Sequence, residues 1–394
     1  DMEKTFEYRI CPNAFQRQII AQTFGCSRWV YNHALGIRKV AYENQEKVPS
    51  INDCIKAIPK LKQDPETKWL KEADSMALQQ SLRDLNKAYK NFYRTPGKVG
   101  FPKFKSKRTK QSYRTNSIRI IDDKHVKLPK LGIVKARISR TVEGRILSAT
   151  IKQAASGKYF VTVCCADCQE MPLPTTDKVV GIDLGSRKLI TTSTGEIVDN
   201  PKYYRATQKR LAKEQRKLSR KQGARKGEKQ SNNYRKQKRR VAGVHEKVAN
   251  QRKDFTHKMT TQLINENQVI VAESLKVKNM VRNHKLAKTI TDAGWGEICR
   301  QLTYKADWYG RMFVQVDTFF PSSQICNVCG RQEPAVKDLR EHWECGHCGT
   351  EHDRDINAAK NILAEGLKTI GWDTPESNAC GENVSPATAN AAAG

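Results

Sequence analysis

The 394-residue sequence contains no apolar run approaching the roughly 18 residues that a membrane-spanning helix requires. Its opening residues lack the apolar core of a signal peptide. The expectation is therefore a soluble cytoplasmic protein with no membrane partner. Acid is in deficit: 41 Asp and Glu stand against 71 Lys and Arg, a formal net charge of +30. Self-repulsion on that scale opposes compaction unless a polyanion neutralises it, so nucleic acid is the expected partner. Eight of the 12 cysteines show no ligand pattern. Cys165-Ala-Asp-Cys168, a Cys-x-x-Cys without a mate, reads as the end of a strand. At 38% hydrophobic residues, the chain still has enough apolar material for two or three domains with cores.

What the sequence does have is concentrated between Phe320 and Leu363. Two Cys-x-x-Cys pairs, Cys326/Cys329 and Cys345/Cys348, are separated by fifteen residues. Each tight turn aims two thiolates at one point, and four complete the tetrahedron of a zinc ribbon. Gly330 and Gly349 follow the pairs and give those turns backbone freedom. Free or disulfide-bonded cysteines are the plainer alternative, but the doubled spacing and reduced intracellular thiols argue against it. His342 and His347 could replace a thiolate, and with four cysteines present they are read as bystanders.

Asp355 precedes Ile356, Ala359, Ile362 and Leu363 at helical spacing, which puts its carboxylate in a first helical turn. A lone Asp there is ordinarily a cap. Two further acids change that reading. Asp183 interrupts the apolar strand Lys178 to Gly185, where an unpaired carboxylate is expensive to bury, and a second strand, Lys188 to Thr192, follows a glycine turn. Glu273 ends the apolar strand Gln268 to Leu275. Three repelling carboxylates in so basic a chain make sense around a cation, and oxygen donors select Mg²⁺ or Mn²⁺. Two such ions about 4 Å apart would clamp the attacking water and leaving oxygen of a phosphodiester.

Elsewhere, Phe6, Tyr8 and Ile10 alternate as a half-buried strand that must pair with a later β unit. Phe15, Ile19, Ile20, Phe24, Trp29, Val30 and Tyr31, then Leu78, Leu82, Leu85, Tyr89 and Phe92, recur with helical spacing, and Asp74 or Ser75 is the cap of the later helix. Around Phe101 and Phe104, the cations Lys103, Lys105 and Arg108 suit stacking and phosphate contact. Short strands follow over residues 118–121, 126–128 and 133–134, with a hairpin over 146–165 turning at Ser156-Gly157 and a linker over 171–176. Residues 202–253 carry 20 Lys or Arg and three Glu on an amphipathic helical hairpin; Arg210, Arg216, Arg235, Arg239 and Arg240 are candidate phosphate contacts. Lys276 to Lys288 reads as a basic loop, a helix runs from Ala293 through Trp308, Met312 to Val316 is a strand, and the residues after Trp372 read as disordered.

Gly181-Ile-Asp183-Leu-Gly185, Ala272-Glu273-Ser-Leu275, the paired Cys-x-x-Cys and Asp353-Arg-Asp355-Ile-Asn357-Ala-Ala together resemble the TnpB family, RNA-guided endonucleases of IS200/IS605 and IS607 transposons related to type V CRISPR effectors. Tyr8-Arg-Ile-Cys-Pro12-Asn13, Trp29-Val-Tyr-Asn32, the stretch from Ala77 to Phe92 and Ser322-Ser-Gln-Ile-Cys326 extend the resemblance along nearly the whole chain. It implies a multidomain α/β protein. A β-barrel wedge domain (1–10 and 96–172) would carry an inserted helical recognition domain (11–95). An RNase H-like RuvC nuclease domain (173–320 and 351–370) would carry a zinc-ribbon insert (321–350), with a disordered tail over 371–394. It also implies structural Zn²⁺ on Cys326, Cys329, Cys345 and Cys348, and catalytic Mg²⁺ on Asp183, Glu273 and Asp355, with Asp353 the alternative to Asp355. Gln79 would lie near the surface that reads a short motif in target double-stranded DNA, and Lys276 to Asp292 would form a lid. The partners implied are a guide RNA from the transposon end, one protein per RNA, and nucleoid DNA in a prokaryotic cell. The other function classes are a nuclease-dead RNA-guided repressor and a transposase. Within the nuclease class, a miniature CRISPR effector is a further variant.

Overall fold

A computed structural model describes residues 2–108, 110–169, 171–185, 187–223, 230–280, 282, 284–333 and 341–372. The tail expected after Trp372 lies outside them. The chain divides into two compact units, Asp1–Glu170 with Glu214–Val244, and Met171–Lys213 with His245–Gly394.

The first unit is built on a seven-stranded antiparallel sheet with three helices inserted after its first strand. β1 (Met2–Ile10) is followed by α1 (Ala14–Glu43), α2 (Ile51–Gln63) and α3 (Ser75–Arg94), then β2 (Gln111–Thr115), β3 (Arg119–Ile120), β4 (His125–Leu128), β5 (Gly132–Arg137), β6 (Arg145–Gln153) and β7 (Tyr159–Cys168). The strand order is β2-β6-β7-β1-β5-β4-β3, and among the described residues the edges β2 and β3 are not paired with each other. β1 is central because Phe6, Tyr8 and Ile10 all face the core, joined there by Ile151, Val161 and Val163. Asn13 and Gln16 form a reciprocal capping box at the start of α1, and Asp74 caps α3.

Three details differ from the sequence reading. Phe15 does not join the apolar stripe of α1 but is 68% exposed, since it lies in the first turn beyond the core edge. α2 carries an internal Pro59, which disguised the helical spacing of Ile51, Cys54, Ile55, Ile58 and Leu61. β2 reads Gln-Ser-Tyr-Arg-Thr, with only Tyr113 and Thr115 turned inward, so its alternation is too weak to recognise.

The second unit contains β8 (Val179–Asp183), β9 (Lys188–Thr192) and β10 (Ile197–Asp199), then β11 (Val269–Glu273) and β12 (Met312–Val316). α4 (Tyr203–Arg220) and α5 (Asn232–Glu266) are divided between the two units. Between β11 and β12 come α6 (Val277–Met280), α7 (His284–Ala293) and α8 (Trp295–Tyr309). The segment expected as a basic loop is therefore largely helical. The helix expected from Ala293 is α8, which begins at Trp295 and is set off from α7 by Gly294, whose φ of 69° is left-handed. β13 (His342–Glu344) and β14 (Glu351–Asp353) form a separate small ladder, and α9 (Arg354–Ile370) follows.

The five-stranded sheet has the order β10-β9-β8-β11-β12; the first three strands are antiparallel, whereas β8, β11 and β12 run parallel. Parallel strands covered on both faces need continuous apolar runs, which Val269-Ile-Val-Ala supplies with every residue buried. α9 covers one face, burying Ile362 and Leu367 against Val269, Val271 and Val316. Two glycines let it lie close. A Cβ on Gly181 of β8 would come within 2.1 Å of the Ala359 carbonyl oxygen, and one on Gly366 of α9 within 2.2 Å of the Val271 side chain.

Because backbone cannot yield as a side-chain tip can, Gly181→Ala should destabilise this unit by about 1–3 kcal/mol, the usual cost of overpacking. Denaturation monitored by the tryptophans of the unit checks it; an unchanged midpoint would mean that the contact with α9 is not tight.

Candidate active site and metal centre

β8 and β11 end together. Their last registered pair is Ile182 with Ala272, and the next residue on each strand is an acid, Asp183 and Glu273. This is the carboxyl edge of a parallel sheet, where α/β folds place their ligands. α9 begins at the same edge, bringing Asp355 into electrostatic reach of Asp183. Asp183 keeps a window to solvent, yet the surrounding protein pushes its carboxyl up to about 7: desolvation is the largest cause, followed by the negative charges of Glu273 and Asp355. Burial also raises Glu273, although the Leu184 N–H opposes it.

The two aspartates at the start of α9 do different things. Asp353 is the N-cap: its Oδ1 accepts from the N–H groups of Asp355 (2.9 Å) and Ile356 (3.0 Å). Partial burial pushes the Asp353 carboxyl up, but those N–H groups and the Lys188 ammonium bring it below its ordinary value. Asp355 makes no cap. Its Oδ2 lies 3.6 Å from Lys188 Nζ and its Oδ1 3.1 Å from Arg354. Lys188 also reaches Asp353 at 3.4 Å. The oxygen-only set of Asp183, Glu273 and Asp355, with one carboxyl held far above its ordinary range by burial and by the two neighbouring acids, fits a hard divalent cation. These oxygens are not drawn into a tight cage: among the described residues, the group of three or more side chains with ligand atoms all within 4.8 Å is the four cysteines.

In that group, Cys326 Sγ is 3.6 Å from Cys348 Sγ, and Cys329 Sγ is 3.6 Å from Cys345 Sγ. Zn–S bonds of about 2.3 Å to the corners of a tetrahedron place sulfurs about 3.8 Å apart, so the four fit Zn²⁺. The two knuckles share one pattern. The N–H of Gly330 donates to the Cys326 carbonyl and that of Gly349 to the Cys345 carbonyl, each at 2.9 Å, with both glycines in the left-handed region. The Thr350 hydroxyl and N–H pull the Cys348 thiol down to about 6, which favours a thiolate at neutral pH. His342 and His347 are exposed, whereas His352, which the sequence did not single out, places Nε2 3.1 Å from Cys326 Sγ and packs its ring, tilted by 40°, against Trp343.

The first knuckle is also tied to α9. Asn357 Nδ2 and Asn361 Nδ2 both donate to the Ile325 carbonyl, at 2.8 and 2.6 Å, and Asn357 Oδ1 accepts from the Asn327 N–H at 3.0 Å. The cysteine cluster and the helix carrying Asp355 are thus one hydrogen-bonded piece.

Of the proposed nucleic-acid contacts, Lys103, Arg108, Arg210, Arg216, Arg235, Arg239 and Arg240 are exposed, and Gln79 is half-buried on α3. Lys105 is half-buried with its ammonium 4.0 Å over the Tyr31 ring. It lines a cavity of about 330 Å³ in the first unit together with Arg28, Lys87, Lys110 and Arg114; Asp84, also on its wall, pairs with Arg114 at 2.8 Å. Lys110 belongs to the basic run around Phe101 and Phe104, whereas Arg28, Lys87 and Arg114 come from separate elements, and no local sequence run announces them.

Family models match three parts of the chain: one described as "Probable transposase" over residues 162–284, one described as "Cas12f1-like, TNB domain" over 295–362, and one described as "Helix-turn-helix domain" over 2–47. A protein of Streptomyces pristinaespiralis named "Putative RNA-guided DNA endonuclease" is 38% identical, over 98% of this chain and 92% of its own length. The chain belongs to the TnpB family. Another relative, from Escherichia coli strain K12 and named "Putative RNA-guided DNA endonuclease InsQ", is 33% identical over 97% of this chain and 94% of its own. The multidomain fold is similar to that in the structure titled "Cryo-EM structure of the Cas12f1-sgRNA-target DNA complex", with a TM-score of 0.53 at 11% identity, covering 92% of this chain and 98% of that one. Over residues 2–47 the family chain folds as β1 and the single long helix α1. Among the described residues, no helix is long and apolar enough to cross a membrane.

Asp183 carries a cost that its replacement should reveal. An unfolded carboxyl titrates near 3.8 and this one near 7, so between those values the folded state keeps a proton that the unfolded state has released. Stability therefore falls as pH rises through that window, and the full penalty, up to about 4 kcal/mol, is present above it. Asp183→Asn should melt higher than the parent at pH 8 without divalent cations, with the difference gone below pH 4; thermal melts across pH check this. Cys326→Ser should bind well under one zinc per chain and melt lower, as read by metal analysis and the same melts.

Proposed function

We propose that this chain is a transposon-encoded, RNA-guided DNA endonuclease that hydrolyses phosphodiester bonds with Asp183, Glu273 and Asp355. The observation carrying the reading is the raised Asp183 carboxyl at the carboxyl edge of β8, where Glu273 ends the neighbouring parallel strand and Asp355 is brought close enough to add its charge. The strand order β10-β9-β8-β11-β12, antiparallel then parallel with α9 across it, supports an RNase H-like RuvC core. The relatives' names support the RNA guide and the DNA substrate.

Asp183, Glu273 and Asp355 would hold Mg²⁺, which would supply a water of lowered pKa and charge neutralisation at the phosphate. The chain's own residues hold the rest. Asp353 fixes the first turn of α9, so the Asp355 carboxylate projects from a rigid backbone. Lys188 and Arg354 restrain that carboxylate from the side, and Asn357 and Asn361 hold the helix to the cysteine cluster. Use of Asp353 as the cap supports Asp355 as the third catalytic acid. The exposed arginines of α4 and α5 and the basic cavity of the first unit are suited to the phosphates of guide RNA and target duplex. The antiparallel sheet with its helical insertion supports the wedge and recognition assignment, in which Gln79 lies near the motif-reading surface.

Protein purified with RNA from its own transposon end should cut plasmid DNA matching that RNA next to a fixed short motif, and only with a divalent cation. Asp183→Ala and Glu273→Gln should each lower cleavage at least 1,000-fold, on the order of 4 kcal/mol in transition-state terms, while retaining the RNA. Binding without cutting by the parent would favour a repressor, and guide-independent strand transfer a transposase.

A further inference from the structure

Phe319 is the most exposed large apolar side chain among the described residues, at 79%. Its exposure is built in. Asp317 Oδ1 accepts from the Phe319 N–H at 2.8 Å, the Phe320 N–H donates to the Asp317 carbonyl at 3.2 Å, and the Ser322 N–H donates to the Phe320 carbonyl at 2.8 Å. This turn sends Phe320 inward against the cluster of Val316, Ile362 and Leu367, and Phe319 outward. Lys276 Nζ stands 4.7 Å over the Phe319 ring centroid.

Both residues leave the sheet at one place. Val316 of β12 is in register with Glu273 of β11, and the Ser274 N–H donates to the Val316 carbonyl at 3.1 Å. Phe319 lies three residues beyond Val316, and Lys276 three beyond Glu273. Three residues of chain reach at most about 10 Å, which is about three stacked nucleotides. An upright aromatic ring beside a mobile ammonium, at the edge that carries Asp183 and Glu273, matches the chemistry of an unpaired DNA strand: a π-face for a base and a cation for the adjoining phosphate.

We propose that Phe319 is a stacking platform for a nucleobase of single-stranded DNA entering the carboxylate cluster, with Lys276 contacting the neighbouring phosphate. The inference rests on the nuclease reading above and adds a substrate contact to it. Stacking accepts any base, as an enzyme whose target sequence is read by base pairing requires. A cation–π contact between Lys276 and Phe319 keeps the ring upright before DNA arrives.

The test uses the full chain with its RNA, carrying Asp183→Asn, and short single-stranded DNAs with 2-aminopurine at successive positions. Stacking quenches the probe's fluorescence. At one or two positions the parent should quench strongly; Phe319→Ala and Phe319→Leu should lose the quenching and weaken binding about 5- to 100-fold, while Phe319→Trp retains both. Lys276→Gln should weaken binding and lower the salt slope by about one charge. Equal quenching and affinity in the parent and in Phe319→Ala or Phe319→Leu would overturn the platform. Divalent-cation-dependent cleavage by the chain that retains Asp183 is measured in parallel. Cleavage with unaltered quenching in Phe319→Ala refutes the platform alone, whereas quenching lost in that variant without cleavage by the parent refutes the nuclease reading and leaves the platform standing.

Discussion

Burial of the Asp183 carboxyl, with the negative charges of Glu273 and Asp355 brought beside it, is the constraint on which the second unit depends. Carboxylates drift apart or take up protons unless the backbone beneath them is fixed. Here three devices fix it. Parallel register sets Asp183 beside Glu273, the bare backbone at Gly181 lets α9 descend onto β8, and the Asp353 cap determines where the first turn of α9 begins. Part of the folding energy is thereby held as electrostatic strain, which a divalent cation at the proposed site would relieve. Tolerance of that strain and affinity for the cation have the same origin.

The cysteine cluster contributes to the same end. A zinc ribbon is often described as an independent knuckle, but here the Ile325 carbonyl is shared by two asparagines of α9, and His352 reaches Cys326 from the strand leading into that helix. The polar positions Asn357 and Asn361, both buried, would be anomalous on a helix facing an apolar sheet alone. They are accounted for once the knuckle is seen to need donors. The amide pair couples the order of the metal site to the orientation of Asp355.

Much of this was legible from the chain because the signals were local. An acid interrupting one apolar strand and an acid ending another singled out Asp183 and Glu273, and cysteine spacing singled out the four-cysteine cluster. What stayed hidden depends on partners distant in sequence. Lys188 looks like any strand-end lysine until β9 brings it against Asp353 and Asp355. His352 has no motif of its own, and Arg28, Lys87 and Arg114 converge only after α1, α3 and β2 pack. Gly294 carries no recognisable signal in the sequence, yet its left-handed backbone separates α7 from α8. β2 was missed because its pairing with β6 is set by the sheet and not by its own polar sequence.

The sequence separation of β8 and α9 has a consequence for biosynthesis. Synthesis proceeds from the N-terminus, so the strand bearing Asp183 emerges long before the helix that covers it. Until α9 docks, one face of the parallel strands has no lid, and Val269 and Val271 present β-prone apolar surface of the kind that nascent-chain chaperones bind. The carboxylate trio is likewise incomplete during that interval. Asp355 therefore joins Asp183 and Glu273 only once α9 has been made and has docked on β8.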